Sequence, residues 1–448
     1  MEGEKVNMNK NQSRTMEDIV SLAKRRGFIY RGSEIYGGLA GTWDYGPLGV
    51  ALKNNIKKLW WNMFVDTRDD IYGMDTSILM NAKVWQASGH TEGFSDPLIE
   101  CKKCKKRFRA DQLETKECPK CGGGLGSVRQ FNLMFKTHVG ALEDESSVSY
   151  LRPEPAQGMF VNFKNIIDSF HPKLPFGIAQ IGKSFRNEIA PREFLFRARE
   201  FEIMELEYFV KENEWEKHFK HWKEQIWKWI DAIGLSRECV HELEVPENDR
   251  AHYSKRTIDF EYDYPFGRKE LYGLAYRTDY DLMRHSKESG TELRYQDEES
   301  GEYFIPHVIE PTFGVDRTVF AVLSECYTED ELAGEKRTFL KLPVALAPIK
   351  VAVFPLLKNK PELVKKAREV YETIKKEIPE SIFDDNGNIG KRYRRQDEIG
   401  TPHCITIDFD TLEDDTVTLR DRDSGAQVRV SVEKLLAQLT TIAFEKRD

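Results

Sequence analysis

Apolar side chains recur at intervals of three and four residues in two long stretches, which predicts two amphipathic helices. The first stretch follows Pro47, a residue suited to the first turn of a helix. Its apolar positions are Leu48, Leu52, Ile56, Leu59 and Met63. The second stretch ends at Gly234, and its apolar positions are Trp215, Phe219, Trp222, Ile226, Trp229 and Ile233. We interpret both stripes as core packing, because a helix buries one face through such spacing.

An alternating pattern of period two predicts a strand pair in the middle of the chain. The first strand ends at residues 185–188, Pro191 interrupts the pattern, and the return strand begins at Arg199. One face of the return strand carries Phe201, Ile203, Glu205 and Glu207, and the other carries Glu200, Glu202, Met204, Leu206 and Tyr208. Because glutamates are interleaved with large apolar residues, some carboxylates are expected in a desolvated place. There, a cation or an ammonium group is needed to relieve their repulsion.

The loop between these two strands carries Arg192 and Arg197. A planar guanidinium fork matches phosphate oxygens, so the hairpin is suited to hold a polyphosphate beside a cation. The alternative, a hairpin whose charged face is simply solvated, stays open at this point.

Residues 177–184 match the letter pattern of a phosphate-binding P-loop. A P-loop requires a buried strand before it and a helix that opens at its Lys-Ser pair. Pro175 precedes the string and Pro191 follows it closely, so we predict that it is not a P-loop.

The chain has 448 residues and a net charge of −8, which argues against indiscriminate nucleic-acid binding. Residues 1–13 are polar and are predicted to form a disordered tail without the apolar core of a signal peptide. No apolar run approaches the ~20 residues of a membrane span. We therefore expect a cytoplasmic protein with no membrane partner.

Four of the seven cysteines form two Cys-x-x-Cys pairs, Cys101 with Cys104 and Cys118 with Cys121. Two such pairs on tight turns supply the four soft ligands of a tetrahedral zinc ion. An odd number of cysteines also favours a reducing compartment over a disulfide framework. The alternative is a set of four reduced cysteines in a site that has lost its metal.

Beyond a linker at residues 342–348, apolar runs alternate with helical patterns, which predicts a separate α/β module. A basic run within this module contains Lys391, Arg392, Arg394 and Arg395. Such a run is either a solvated loop or a surface that contacts RNA, and the tyrosine inside it keeps RNA contact open.

Several strings resemble those of a known family. Residues 185–188, Phe-Arg-Asn-Glu, followed after the loop by Arg-Glu-Phe at 199–201, resemble motif 2 of the class II aminoacyl-tRNA synthetases. The continuation of this string, and the strings at 109–111, 152–158 and 310–317, are similar to the glycyl-tRNA synthetase family. The last of them resembles motif 3. The resemblance covers nearly the whole chain.

The resemblance implies an α+β fold, with an antiparallel catalytic sheet flanked by helices and an α/β anticodon-binding domain after it. The catalytic domain is expected at residues 14–342, with a zinc-ribbon-like insertion at 99–126 and a helical insertion at 211–250. The anticodon-binding domain is expected at residues 343–448. The helix after Pro47 is expected to belong to motif 1, the dimer-interface element, so the resemblance implies a homodimer.

The implied function is ATP-dependent attachment of glycine to the 3′ end of tRNA(Gly) through glycyl-adenylate, with Mg²⁺ accompanying ATP and zinc in a structural role. One alternative is another class IIa synthetase, such as the threonyl or prolyl enzyme. A second is a catalytically idle relative that only binds nucleic acid, similar to the accessory subunit of mitochondrial DNA polymerase. Arg186 and Arg317 are intact, which argues against the idle relative.

The resemblance also implies roles for individual residues. The expected catalytic residues are Arg186 and Arg317, which hold ATP, and Glu270, a candidate ligand of magnesium or ribose. The expected ATP-binding residues are Arg186, Asn187, Glu188, Phe196, Arg197, Ala198, Arg199, Glu200, Phe201, Glu270, Leu271, Gly314, Val315, Asp316 and Arg317. The expected glycine-binding residues are Arg109, Glu154, Phe201, Glu202, Ile203, Met204, Glu205, Glu310, Pro311, Thr312, Phe313 and Gly314.

Overall fold

The computed structural model of the chain describes residues 15–113, 115–332 and 334–444, so the predicted disordered tail at 1–13 lies outside the described residues. The described helices are α1 Met16–Arg25, α2 Pro47–Trp61, α3 Ala82–Ala87, α4 His90–Gly93, α5 Ala156–Val161, α6 Phe163–Phe170, α7 Trp215–Ala232, α8 Tyr280–Ser289, α9 Val315–Cys326, α10 Pro361–Glu377, α11 Ile389–Ile399, α12 Phe409–Asp414 and α13 Val432–Phe444. None of these helices is long and apolar enough to cross a lipid bilayer.

The strands of the described ranges are short in the N-terminal third and longer in the central sheet. They are β1 Ile29–Arg31, β2 Trp43–Tyr45, β3 Ile71–Gly73, β4 Leu79–Met80, β5 Ser95–Glu100, β6 Arg107–Arg109, β7 Arg129–Asn132, β8 Phe135–His138, β9 Val148–Leu151, β10 Phe176–Phe185, β11 Glu200–Val210, β12 Val240–Glu244, β13 Arg256–Tyr264, β14 Gly267–Thr278, β15 Tyr295–Gln296, β16 Tyr303–Phe304, β17 His307–Gly314, β18 Tyr327–Leu332, β19 Glu335–Leu340, β20 Val351–Pro355, β21 Ser381–Phe383, β22 His403–Ile407, β23 Thr416–Asp421 and β24 Gln427–Ser431.

The centre of the fold is a seven-stranded sheet in the order β12-β13-β14-β17-β11-β10-β3. Neighbouring strands run antiparallel except at one edge, where β3 lies parallel to β10. The strand predicted to begin at Arg199 is β11, which pairs with β10 on one side and β17 on the other. The predicted α+β fold with an antiparallel sheet is therefore confirmed.

Helices cover both faces of this sheet. The helices α2, α7 and α9 share a core with Leu206 and Trp222, whereas α5, α6 and α8 share a second core with Phe209. Successive side chains of a strand point to opposite faces, so Glu205 and Glu207 lie on the same face as Phe209. The two glutamates of β11 are thereby placed beneath α5 and α8.

The two apolar stripes form helices as predicted, because α2 begins at Pro47 and α7 begins at Trp215. Leu52 and Ile56 of the first stripe and Trp222 and Trp229 of the second are fully buried, which confirms the interpretation as core packing. After α7, β12 forms an edge strand of the seven-stranded sheet, so the segment at 211–250 is joined to that sheet. The boundaries expected for the domains and insertions stay predictions.

The string that matches the P-loop pattern lies inside a strand. Residues 177–184 belong to β10, whose backbone pairs with β11 along its length. No helix opens at Lys183 or Ser184. The prediction that this string is not a P-loop is confirmed.

The C-terminal part contains a five-stranded sheet in the order β21-β20-β22-β23-β24. Side chains of α10 and α13 share one core with this sheet, and side chains of α11 pack against a second, smaller core with it. β20 pairs parallel with β21 and with β22. β23 pairs antiparallel with β22 on one side and with β24 on the other. The α/β module predicted after the linker is therefore confirmed.

The basic run at 391–395 lies on the helix α11 rather than on a loop. Arg392 is 1 % exposed, and its guanidinium donates to three backbone carbonyl oxygens. The prediction that Arg392 contacts RNA is therefore wrong, because this side chain fastens its helix to the neighbouring loop and strand. Arg394 and Arg395 each pair with a carboxylate, and Lys391 is exposed. Contact of these three residues with RNA stays a prediction.

Candidate active site

Most of the predicted ATP- and glycine-binding residues surround a cavity of about 350 Å³ beside the loop that joins β10 to β11. The predicted residues that line it are Arg109, Arg186, Glu188, Phe196, Arg197, Ala198, Phe201, Glu202, Ile203, Glu270, Leu271, Thr312, Gly314, Asp316 and Arg317. We call it the first cavity. Its lining comes from β6, β11, β14, β17, α9 and the hairpin loop, so the fold brings together residues that are far apart in sequence.

Arg186 lies directly after β10 at the edge of the first cavity. Its backbone N–H donates to the carbonyl oxygen of Arg199 at 2.9 Å, which continues the hairpin ladder past the strand end. Its Nε donates to the carbonyl oxygen of Pro153 at 3.2 Å, and its guanidinium lies 5.3 Å from the rings of Phe94 and Phe201. Within the described residues no carboxylate forms an ion pair with Arg186. A guanidinium held by rings and one carbonyl is available to an anionic ligand.

Arg317 enters the same cavity from the first turn of α9. Its Nη1 lies 3.1 Å from Oε2 of Glu270, and its guanidinium lies 4.5 Å from the ring centroid of Phe196. This guanidinium lowers the pKa of the Glu270 carboxyl, so the carboxylate is ionised at neutral pH. Arg186 and Arg317 thus bring two positive charges to one cavity, and Glu270 supplies an ionised oxygen donor.

Several predicted residues lie outside the first cavity. Met204, Phe313 and Val315 are buried in the core shared with α2 and α7. Glu200 pairs with Lys183 at the surface, and Arg199 donates to two backbone carbonyl oxygens. In the structure these side chains take part in packing, a surface ion pair and hydrogen bonds to the backbone, and their contact with a ligand stays a prediction. Asn187 and Pro311 also do not line the cavity.

Behind the cavity wall, Glu205 and Glu207 of β11 and Glu310 of β17 form a buried cluster. Their carboxylate oxygens lie within 4.8 Å of one another, and the three residues are 2 %, 0 % and 4 % exposed. Oε2 of Glu205 and both oxygens of Glu207 have no hydrogen-bond partner among the described residues. Thr312, which lines the first cavity, donates from Oγ1 to Oε1 of Glu205 at 3.4 Å. We call these three glutamates the acidic cluster.

Arg277, on β14, supplies a buried positive charge beside the acidic cluster. Its guanidinium is completely buried and lies 2.8 Å from carboxylate oxygens of both Asp281 and Glu310, and 3.8 Å from Glu154. The ring of Tyr253 lies 3.6 Å from the guanidinium. With Asp281 and Glu154 included, one guanidinium faces five carboxylates, so the region carries excess negative charge if all of them ionise.

Burial and the neighbouring carboxylates raise the pKa of Glu205 and of Glu207 well above the usual range, and the pKa of Glu310 to about 7. The pKa of Glu154 is lowered, because His90 and Arg277 outweigh the opposing effect of burial. The acidic cluster therefore retains protons near neutral pH until a cation offers a better partner. An ammonium group or a small cation fits this requirement, and an anion does not.

Four further residues of the site carry little signal in the sequence: His90, Tyr253, Arg277 and Asp281. Arg277 and Asp281 lie only four residues apart in the sequence, but Arg277 is on β14 and Asp281 is on α8, so helical spacing does not predict their ion pair. His90 and Tyr253 reach the site only through the fold, from α4 and from the loop before β13.

The four paired cysteines lie together next to the β5–β6 hairpin. The sulfur atoms of Cys101 and Cys121 are 3.6 Å apart, and those of Cys104 and Cys118 are 3.7 Å apart. A tetrahedral zinc ion with bonds of about 2.3 Å separates its sulfur ligands by about 3.8 Å, so the cluster fits zinc. All four sulfur atoms lie within 4.8 Å of one another.

The cysteine cluster stands at one end of the hairpin that presents Arg109. Arg109 ends β6, pairs with β5 and lies 2.7 Å from carboxylate oxygens of Asp96 and Asp111. Arg109 and Asp96 both line the first cavity. Closing the cysteine cluster around a metal would therefore fix the strand that carries Arg109.

Comparison with known families gives two matches along the chain. Residues 135–326 match the family described as tRNA synthetase class II core domain (G, H, P, S and T). Residues 350–442 match the family described as anticodon binding domain.

Curated relatives match nearly the full length. The glycine–tRNA ligase of Caldanaerobacter subterraneus is 50 % identical, over 94 % of this chain and 97 % of the relative. The glycine–tRNA ligase of Clostridium acetobutylicum is 51 % identical over the same shares of the two chains. That of Alkaliphilus oremlandii is 51 % identical, over 97 % of this chain and 98 % of the relative.

Proposed function

The chain belongs to the glycine–tRNA ligase family, and from that membership we propose how its residues attach glycine to tRNA(Gly). The observation that carries the proposal is the acidic cluster placed directly behind a cavity lined by Arg186 and Arg317. The arginines suit phosphates and a carboxylate, whereas the cluster suits an ammonium group. A small amino acid and ATP therefore find complementary charges in adjacent places.

In the first step the carboxylate of glycine attacks the α-phosphorus of ATP, and the bond from that phosphorus to the pyrophosphate oxygen breaks. Arg186 binds the α-phosphate and Arg317 holds the nucleotide from the side of α9, so both neutralise charge that develops in the transition state. Mg²⁺ bound with ATP supplies further charge neutralisation, and Glu270 is its candidate protein ligand. Catalysis is mainly orientation and charge neutralisation, which requires no acid–base residue.

Glycine is recognised by its ammonium group and by the absence of a side chain. Glu205 and Glu310 of the acidic cluster, with Glu154, bind the ammonium, and Arg109, which lines the first cavity, supplies a positive charge. Thr312 bonds to Glu205 and occupies the space that a larger amino acid would need. Because no amino acid is smaller than glycine, a filled pocket is sufficient for specificity.

The affinity for glycine should depend on pH, since Glu310 has a pKa of about 7. At low pH its carboxyl is protonated and neutral, and it gains charge as the pH rises through that value. The KM for glycine should therefore fall between about pH 6 and about pH 8. The KM for ATP serves as control, because the pKa of Arg317 is raised and its guanidinium remains charged throughout. A glycine KM that stays constant or rises over this interval would contradict the role given to the acidic cluster.

We further propose that the cysteine cluster holds a structural zinc ion. The ion would fix the four cysteines in a tetrahedral arrangement at one end of the hairpin that carries Arg109. Purified protein should contain about one zinc per chain, and Cys118→Ser should abolish it and increase hydrogen exchange in the β5–β6 hairpin. The matched control is Cys239→Ser, outside the cluster, which should leave the zinc content unchanged. Fully active protein without metal would disprove this proposal.

We also propose that the chain acts as a homodimer in the cytoplasm and that its C-terminal module contacts the anticodon arm of tRNA(Gly). The match to an anticodon-binding family and the exposed Lys391 support this contact.

The proposed function is tested by incubating the purified chain with ATP, radioactive glycine and a tRNA(Gly) transcript. Radioactivity should appear on the tRNA and should be released by mild base, as expected for an ester to the 3′-terminal ribose. Alanine should give almost no product. Charging by alanine at a comparable rate would contradict the filled pocket.

A further inference from the structure

A polar network stands against the wall of the first cavity and includes side chains from β2 and α2, two elements that do not line it. The network consists of Tyr45 on β2, Lys53 and Lys57 on α2, Glu202 on β11 and Asp316 on α9. Glu202 and Asp316 line the first cavity, whereas the tyrosine and the two lysines do not. We call these five residues the α2 network.

Asp316 joins the first turn of α9 to β11 and to β2. Its Oδ2 accepts a hydrogen bond from the backbone N–H of Glu202 at 2.7 Å, and its Oδ1 accepts one from the hydroxyl of Tyr45 at 2.5 Å. Burial and the Asp316 carboxylate raise the pKa of Tyr45 well above its usual range, so the hydroxyl keeps the proton that it donates. Asp316 is buried, and Arg317 follows it directly. The two hydrogen bonds therefore fix the turn that carries Arg317 against β11.

The lysines of α2 neutralise the acidic side of the network. Lys53 and Lys57 lie four residues apart, on one face of their helix, and both form ion pairs with the carboxylate of Glu202. Burial opposes ionisation of Glu202, but the two lysines outweigh it and lower the pKa of this carboxyl. Nζ of Lys53 also lies 4.0 Å from Oδ1 of Asp316 and 4.3 Å from the ring centroid of Tyr45. Lys53 thus stands at the centre of the network.

The α2 network and the acidic cluster lie on opposite faces of β11. Side chains alternate along a strand, so Glu202 points away from the face that carries Glu205 and Glu207. The helices α2 and α9 pack on the first face, and α5 and α8 pack on the second. A change in the network should therefore reach Arg317 and the nucleotide rather than the place of the glycine ammonium.

We propose that Tyr45 and Lys53 are positioning residues for ATP. By holding Asp316 they direct the guanidinium of Arg317 into the first cavity, and neither of them touches a substrate. The inference rests on the proposed function, in which Arg317 binds the nucleotide. Without the tyrosine hydroxyl, the Asp316 carboxylate turns towards Lys53 and the first turn of α9 loosens from β11. A displacement of about 1 Å is enough to weaken the contact of a positioned charge with its ligand.

The substitution Tyr45→Phe tests this proposal because it removes only the hydroxyl. The KM for ATP in glycine-dependent pyrophosphate exchange should rise by about tenfold, the effect of one lost hydrogen bond to a charged group. The KM for glycine should stay unchanged. A merely structural loss would lower the amount of folded enzyme and hence kcat, without separating the two KM values.

Tyr30→Phe is the matched control. Tyr30 lies on β1, the strand that pairs with β2, is 38 % exposed and does not line the first cavity. This substitution should change neither KM.

The role of Lys53 is tested by a pair of substitutions. Lys53→Met should raise the KM for ATP and leave that for glycine unchanged, because it removes the cation between Glu202 and Asp316. Lys53→Arg keeps the charge and should restore most of the affinity for ATP. Equal KM values for ATP in the two variants would overturn the role given to Lys53.

A double substitution shows whether Tyr45 acts through Arg317. In equilibrium dialysis with Mg-ATP alone, Tyr45→Phe should weaken binding by about tenfold in the wild-type background and have no further effect in the Arg317→Ala background. Equal effects in both backgrounds would overturn the proposal, and so would KM values for ATP and glycine that rise together or not at all. Wild-type protein that binds ATP but exchanges no pyrophosphate would instead overturn the proposed function, and the dialysis would still decide the role of Tyr45.

Discussion

Replacing Arg186 by alanine should lower the rate of glycine-dependent pyrophosphate exchange by ~10²–10³, the usual cost of one positioned donor to developing charge. Arg186 has the two properties that such a donor needs. Its backbone is fixed by the bond to Arg199, and its guanidinium has no ion-pair partner within the described part of the chain. The α-phosphate is the anion for which this charge is held.

The fold should survive this change, because Arg186 is only partly buried and its side chain makes one hydrogen bond to protein, to Pro153. Thermal unfolding should therefore be close to that of the wild type. Arg268→Ala is the matched control, since Arg268 lies on β14 of the same sheet but outside the cavity. An Arg186→Ala protein that exchanges pyrophosphate at the wild-type rate would remove the role assigned to this residue.

Replacing Arg277 by methionine should destabilise the protein by roughly 3–5 kcal/mol, because carboxylates would lose their buried partner. Asp281 and Glu310 both lie 2.8 Å from this guanidinium and are almost completely buried. The change also removes one of the two neighbours, His90 and Arg277, that lower the pKa of Glu154. Glycine activation should fall together with stability.

The decrease in the free energy of unfolding should be larger at about pH 8 than at about pH 5. This pH dependence distinguishes an electrostatic cause from a loss of packing. Without Arg277 the buried carboxylates have pKa values above those of the unfolded chain, so they cost stability once the pH rises and they must ionise in place. At low pH they take up protons and the cost shrinks. The measurement is urea unfolding at both pH values.

Arg256→Met is the matched control for this prediction. Arg256 lies on the adjacent strand β13, pairs with Glu244 at 3.0 Å and contacts the ring of Phe219, but both charged partners are exposed. Replacing Arg256 should lower the free energy of unfolding by about 1 kcal/mol or less. Equal effects of the two substitutions, or a loss at Arg277 that does not change with pH, would contradict the proposed electrostatics.

The parts of the site that could be predicted are those encoded by local sequence. Arg186 and Phe201 lie within one hairpin, and Arg317 lies in a string that is recognisable by itself. Period-two alternation also placed Glu205 and Glu207 on one face, and the expectation of desolvated carboxylates is confirmed by their burial. The two helical stripes were predicted correctly for the same reason, since spacing alone determines which face is buried.

The parts that could not be predicted depend on contacts between distant elements. The pairing of Arg277 with Glu310 and its contact with Tyr253 arise from strand register and from a loop before β13. The pattern of charges along the sequence also does not show that Arg392 is buried. Its guanidinium donates to backbone carbonyl oxygens, which every residue carries, so no particular side chain in the sequence marks its partners. Sequence shows which charges exist, whereas the fold decides which of them remain available.

The most direct measurement is glycine-dependent exchange of pyrophosphate into ATP by the wild-type chain without tRNA. Exchange should occur with glycine, and alanine and serine should be slower by more than about tenfold because the pocket beside Thr312 is filled. A chain that binds tRNA(Gly) but exchanges pyrophosphate with no amino acid would be an idle nucleic-acid-binding relative, and that result would contradict the central claim.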